Sequence, residues 1–319
     1  MHQETEPDNS SNQTRRSRHA WVSACATLAV VVFIGTQAAA AKIRVAASIT
    51  DLASIASTVG GDQVECFAIA RPTADVHHVE VLPSYMVRVS RADVYLKVGM
   101  QLDQWADQII DGSRNSHLVI VDCSRDINAL EKPTGQVNAS MGDVHPSGNP
   151  HYWLDPRNGA TVAAQVAEAL GRIDAEHAAD YLARAESFAK DVDSEMVKGK
   201  GVVSALPSNV VITYHASWIY LASAFGLEIA GTAEPIPGIP PTAKHLQELV
   251  DIIKQRKVGF FLQEPYFSDD AGQFLARQTG LQIIKESPSC DTEAAESYLT
   301  HIDHIFQLMA PSSGKTGGR

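Results

Sequence analysis

Cysteine is scarce in this chain: of 319 residues only Cys25, Cys66, Cys123 and Cys290 carry a thiol, and no two stand as Cys-x-x-Cys. A thiolate zinc site needs closely spaced sulfur ligands, so that class is excluded. The chain also has no His-Glu-x-x-His and no Gly-x-Ser-x-Gly, the signatures of helix-borne zinc peptidases and of hydrolases with a nucleophile elbow. Basic residues are in deficit, 26 Lys and Arg against 37 Asp and Glu, for a formal net charge of −11. Nucleic acid, which requires a basic surface, is excluded as a partner. What the chain has is length and apolar content: 45% hydrophobic residues over 319 positions suffice for two domains with real cores.

The first 41 residues read as a leader. Arg15, Arg16 and Arg18 precede an apolar run over 20–34, and Thr36-Gln-Ala-Ala-Ala-Ala41 follows. A basic region, a short apolar core and an Ala-x-Ala site make a secretory signal peptide cleaved near Ala40 or Ala41. The run is too short to be a membrane anchor. Cys25 lies at its start, where lipid attachment is badly served. The mature protein is therefore expected in the periplasm. Its remaining Cys66, Cys123 and Cys290 are read as structural, with one disulfide and one free thiol left open.

Along the mature chain, short β-branched runs alternate with helical patterns. Strands are expected over 43–48, 64–69, 93–98 and 118–122, then over 209–213, 227–232, 258–262 and 281–285. Their continuous apolar character suits strands covered on both faces of a parallel sheet. The stretch over 241–255, with Leu246, Leu249, Val250 and Ile253 on one face, completes one of the βαβ units. The fold class is α/β: two (β/α)4 lobes, 42–157 and 201–311, separated by a helical connector over 158–200. Asp155-Pro156 starts the connector as N-cap and first-turn proline. After a break near 173–175, Tyr181, Ala185, Phe188, Val192 and Met196 form one apolar stripe on a long rigid helix of about 24 residues. Residues 312–319 are polar, Gly/Ser-rich and expected to be disordered.

Three histidines fall where strands end or loops turn: His77 in Asp75-Val-His-His-Val-Glu80, His151 in Asn149-Pro-His-Tyr-Trp-Leu-Asp-Pro156, and His215 in Thr213-Tyr-His-Ala-Ser-Trp218. In open α/β sheets the crevice lies outside the carboxyl ends of the strands, so all three occupy the correct rim. Imidazole is the commonest transition-metal ligand, and three in one cleft make most of a zinc site. Glu264 and Glu286 follow later strands on the same rim. Water or either carboxylate could complete the shell. Metal affinity should fall as pH drops through the histidine range near 6.5, because protons compete for the same nitrogens. Asp75 and Asp155 could orient imidazoles, although turn and helix-cap roles explain them equally. His145, in Gly142-Asp-Val-His-Pro146, could capture metal from solvent or simply be exposed. His78 neighbours a proposed ligand, and His117, His177, His245, His301 and His304 read as surface or helix positions.

The segments Asp75-x-His77…Glu80…Pro83, Asn149-Pro-His-Tyr-Trp-Leu-Asp-Pro156, His215 before Phe225-Gly-Leu, Glu234-Pro-Ile-Pro-Gly-Ile-Pro-Pro241 and Glu264-Pro-Tyr-Phe267 resemble the zinc- and manganese-binding proteins of ABC metal importers. The resemblance runs in order over nearly all of the mature chain. It implies two (β/α)4 lobes joined by a rigid backbone helix, with one metal buried in the interlobe cleft. It carries three histidine ligands onto His77, His151 and His215, and makes Glu264 the preferred fourth ligand or an acceptor behind the ligands. Many members end the shell with an Asp after the last strand, where this chain has Glu286. The His-rich loop frequent in zinc-type members is here short, with His145 alone. A histidine as third ligand leans towards Zn2+, with Mn2+ as the alternative. The implied role is non-enzymatic: a monomer that captures a divalent cation and delivers it to a membrane permease with its ATPase partner. A metallohydrolase and a surface adhesin are the other readings.

Overall fold

The computed structural model describes residues 41–310. The expected leader (all but Ala41), Cys25 and the 312–319 tail lie outside the described residues. The first half of the chain runs β1 (Ile43–Ala47), α1 (Thr50–Gly60), β2 (Val64–Ala68), α2 (Pro83–Val89), β3 (Val94–Lys97), α3 (Gln104–Ser113) and β4 (Val119–Asp122). Two helices follow, α4 (Pro156–Ile173) and α5 (Ala178–Ala205). The second half runs β5 (Val210–Thr213), α6 (Ile219–Phe225), β6 (Glu228–Thr232), α7 (Ala243–Arg256), β7 (Phe260–Gln263), α8 (Asp270–Thr279), β8 (Gln282–Lys285) and α9 (Ser297–Met309).

Each half builds a four-stranded parallel sheet, in the orders β2-β1-β3-β4 and β6-β5-β7-β8. The central strands β1, β3, β5 and β7 are almost wholly buried, which is why Val, Ile and Phe run through them without alternation. The outer strands β4 and β8 expose Ile120 and Ile283 respectively, on a sheet face left uncovered at the edge. All eight expected strands form, with no boundary shifting by more than two residues.

Asp155 caps α4 by accepting from the Arg157 backbone N–H at 3.0 Å and from the same guanidinium. The break after Ile173 is held by Asp174, which accepts from the Tyr181 hydroxyl and the His177 ring, both at 2.7 Å. Tyr181, Ala185, Phe188, Val192 and Met196 are all buried on α5. The helix runs 28 residues, past the expected boundary at 200, and spans roughly 42 Å. It continues because Gly199 passes directly between Phe225 of α6 and Phe306 of α9. One hydrophobic core extends through both halves and the connector, and a smaller one, with Ile212, Leu249, Ile253 and Phe261, lies in the second half.

The segment between β8 and α9 leaves its own lobe and is fastened to the other. Thr50 and Ser54 on α1 donate through their hydroxyls to the carbonyls of Cys290 and Ala294, both at 2.6 Å. Glu293 accepts from the Ala68 backbone N–H at 3.1 Å, and Trp153 donates to the Pro288 carbonyl at 2.7 Å. The second half is thus tied to the start of α1, the end of β2 and the turn after His151. Cys66, Cys123 and Cys290 are separate free thiols.

A Cβ on Gly199 would meet Phe225 at 2.5 Å and Phe306 at 2.6 Å. Gly199→Val should destabilise the protein by about 1–3 kcal/mol through overpacking. Urea unfolding of the two proteins measures this, and equal midpoints would contradict it.

Candidate metal centre

His77, His151 and His215 come from three separate segments, and each is positioned by its own anchors. The irregular loop after β2 carries His77. Asp75 folds this loop by accepting from the His77 backbone N–H at 2.9 Å, and Trp105 of α3 donates to the Val76 carbonyl at 2.9 Å. His151 opens the short turn Tyr152–Leu154, which is fixed by Tyr152 donating to the Val98 carbonyl and by the Trp153–Pro288 bond. His215 follows β5, and the flanking backbone stays in register through Tyr214 N–H to Leu262 O and Glu234 N–H to Tyr214 O.

The three rings converge. Their centroids are separated by 5.1 Å (His77–His151), 5.2 Å (His77–His215) and 5.4 Å (His151–His215). One donor atom from each lies within 4.8 Å of the other two. A tetrahedral shell at about 2.0–2.1 Å separates nitrogens by roughly 3.3 Å, so small ring tilts bring all three onto one ion.

A hydrogen bond at Nδ1 aims each ring. His77 Nδ1 donates to Asp75 Oδ1 at 2.9 Å, and His215 Nδ1 donates to Glu234 Oε2 at 2.7 Å. His151 Nδ1 lies 3.0 Å from Asn149 Oδ1. The Asn149 amide is itself oriented, because its Nδ2 donates to Glu131 at 3.0 Å and to the Ala216 carbonyl at 2.8 Å. Its oxygen is left to accept, so His151 too carries its proton on Nδ1. The Nε2 atoms of His77 and His151 are then buried with no partner at all. Buried polar atoms are ordinarily satisfied, and two such lone pairs beside the His215 ring fit a cation.

The electrostatics are uneven. Burial pushes His151 well below the usual imidazole range, helped by His77 and His215. Burial also takes His145 down to about 4, with His77 adding to it. His215 is raised: burial opposes this, but the hydrogen bond to Glu234 and the charges of Glu264, Glu234 and Asp75 outweigh it. The same residues hold Asp75 well below the carboxylate range, since hydrogen bonds from His77 and His78 overcome its burial.

Other expected positions divide. Glu264 is fully buried, and burial raises its carboxyl, but it does not belong to the group of mutually close donors. Glu286 accepts from the Ser287 backbone N–H at 2.8 Å and faces His304 at 3.3 Å. Asp155 caps α4 and orients no imidazole. His78 bonds Asp75 from the exposed side at 3.0 Å. His301, expected at a surface or helix position, is buried on α9. The orienting roles of Glu234 and Asn149 had no periodic signal; their trace was the Pro that follows each beside a ligand-bearing segment.

A family model described as ZnuA, zinc-uptake complex component A, periplasmic, matches residues 45–310. Among curated proteins, the iron-binding protein YfeA of Yersinia pestis is 24% identical over 286 residues, 86% of this chain and 88% of that protein. The high-affinity zinc uptake system protein ZnuA of Brucella abortus is 32% identical over 117 residues, 37% of this chain and 35% of that one. Among solved structures, a crystal structure of ZnuA superposes with a TM-score of 0.73 at 22% identity, covering 84% of this chain and 99% of the other. A Mn-bound periplasmic metal-binding protein from candidatus Liberibacter asiaticus gives 0.69 at 18%, covering 84% and 98%. At these identities the superpositions establish the shared fold.

Two outcomes follow from the site. Glu234→Gln keeps the shape but removes the charge behind His215, and should weaken divalent-cation affinity about 10–100-fold; an unchanged dissociation constant would contradict the role. Because His215 is raised, a cation must displace its proton. Binding should therefore weaken as pH falls from about 7.5 to 5.5, by up to about tenfold per unit for each proton displaced. Titration calorimetry in buffers of different ionisation enthalpy reads the released protons, and a buffer-independent heat would count against it.

Proposed function

The chain belongs to the ZnuA family of periplasmic zinc-uptake components, a transport family rather than an enzyme family, and on that premise we propose that it captures Zn2+ at His77, His151 and His215. The ion is cargo, handed to the permease of an ATP-driven importer. The observation that carries this reading is the set of three converging imidazoles with Nδ1 anchored to oxygen acceptors, of which His77 and His151 hold Nε2 buried and unpaired.

Zinc is favoured by the donor set. Neutral imidazole nitrogens suit zinc, whereas manganese and calcium favour carboxylate and carbonyl oxygen. The nearby carboxylates of Asp75 and Glu234 are engaged at Nδ1 positions instead of joining the donors. Manganese or iron as cargo is the second reading, since relatives bearing both names share the fold or the sequence. The leader read over 1–41 supports the periplasm as the place of capture.

Ligand binding to the folded state stabilises it by about 4 kcal/mol at a thousandfold excess over the dissociation constant. Added Zn2+ should raise the melting temperature of the chelator-stripped protein more than Mn2+ or Fe2+ does. His77→Ala and His215→Ala should abolish the rise. No shift with any divalent ion would end the capture reading, and a larger rise with Mn2+ or Fe2+ would transfer it to that metal.

A further inference from the structure

Three nitrogens leave one corner of a tetrahedron open, and of the two carboxylates on the rim Glu286 is committed elsewhere. Glu286 is turned to the Ser287 backbone and to His304. Glu264 is buried with both carboxylate oxygens unpaired and stays outside the close donor group, as does His145 until its loop moves. The loop over 142–148 brings a different candidate to the same place. The ring of His145 lies 5.5 Å from that of His77, close to the 5.1–5.4 Å that separates the three histidines from one another. Its Nε2 is buried without a partner, as are those of His77 and His151. The backbone of Met100 lies beside the ring. His145 therefore shares with His77 and His151 a buried second nitrogen that nothing in the protein bonds.

Two further features show that this placement is built. Met100 sits in a run of three left-handed residues, Gly99 at φ 81°, Met100 at 50° and Gln101 at 63°. Non-glycine residues in that region carry strain, which concentrates at ligand clamps. The loop is also coupled to the ligand on the opposite lobe. Asp143 donates its backbone N–H to the Pro237 carbonyl at 2.8 Å, and Gly238 donates to Glu234, the residue that aims His215. Gly142 and Gly238 permit this contact, since a Cβ on either would strike the other strand of the loop pair, at 2.1 Å from Pro237 O and 2.3 Å from Asp143 Oδ2.

We propose that His145 is the fourth ligand: when the cation arrives, the 142–148 loop moves inward and Nε2 of His145 closes an all-nitrogen shell with His77, His151 and His215. This rests on the capture reading and names what gives it selectivity. A shell of four imidazoles with no oxygen disfavours manganese, while tetrahedral zinc accepts it. The loop's link to Glu234 makes closure and the aiming of His215 one event.

X-ray absorption fine structure of the zinc-loaded full chain tests it. Four imidazoles and no oxygen are expected in the wild type. In His145→Ala the shell should become three imidazoles and one oxygen, with zinc affinity falling more than about tenfold and the preference for zinc over manganese narrowing with it. His117→Ala, at an exposed position away from the site, should change neither, and the melting temperature of metal-free His145→Ala should match the wild type. Three imidazoles with an oxygen in the wild type, or unaltered affinity in His145→Ala, overturns the proposal while zinc binding itself stands. A wild type that binds no zinc removes the capture reading instead.

Discussion

Everything in this molecule answers to a single polar debt: imidazole nitrogens buried in a cleft with nothing in the protein to bond them. A buried polar atom without a partner costs on the order of 1–3 kcal/mol, and three segments of chain cooperate to keep such atoms facing each other. They do so by satisfying the other nitrogen of each ring so well that rotation is prohibitive. Asp75, Asn149 and Glu234 each accept at Nδ1, and each is itself held, by the His77 and His78 groups, by Glu131 and Ala216 contacts, and by Gly238 respectively. The frustration is local and specific, which marks it as a receptor for a ligand and separates it from a packing defect.

Holding such a receptor open requires that the lobes not collapse together or drift apart. The connector helix and the strap over 286–296 provide this. Thr50 and Ser54, on the first helix of one lobe, bind carbonyls contributed by the other, and the continuous hydrophobic core runs beneath both. A flexible hinge would let the rings separate by several ångströms. Here the strap bonds the two halves directly to each other. Capture and release then depend on loops such as 142–148, whose movement breaks few buried apolar contacts.

The lobes were legible in the sequence because parallel strands covered on both faces leave little choice of residue: the runs at β1, β3, β5 and β7 are mostly apolar, with Arg44, Lys97, Thr213 and Gln263 as their polar members. The three histidines were legible because strand ends in such sheets are where ligands bind, and a histidine there has a position as well as a chemistry. The acceptors behind them were not. Glu234 reaches His215 across 19 residues, and Asn149 acts only because Glu131 and Ala216 turn its amide. Such roles depend on side-chain direction within loops, and loops have no periodicity to read. Glu264 and Glu286 illustrate the converse. Both follow a strand on the expected rim, yet one stays outside the donor group and the other bends to His304, since a rim position fixes the Cα but not where the carboxylate goes. His301 went underground for a similar reason: α9 packs a face on which the ring bonds the Ser287 carbonyl at 3.0 Å.

Placing a doubly charged ion among neutral imidazoles raises the question of what offsets its charge in a buried site, where an isolated ion is very costly. The answer lies one bond further out. Asp75 and Glu234 put two carboxylates behind two of the rings, and the charge of Glu264 also acts on His215. Direct carboxylate ligation would neutralise the ion more strongly, and would also bind hard oxygen-seeking metals and slow departure. Keeping the negative charge behind the imidazoles lowers the electrostatic penalty of entry, makes each ring a better donor, and leaves the coordination bonds themselves to nitrogen. A transport protein must bind tightly enough to collect a scarce ion and loosely enough to give it up. Charge held at second remove, with a loop histidine able to complete or open the shell, reconciles those demands within one rigid frame.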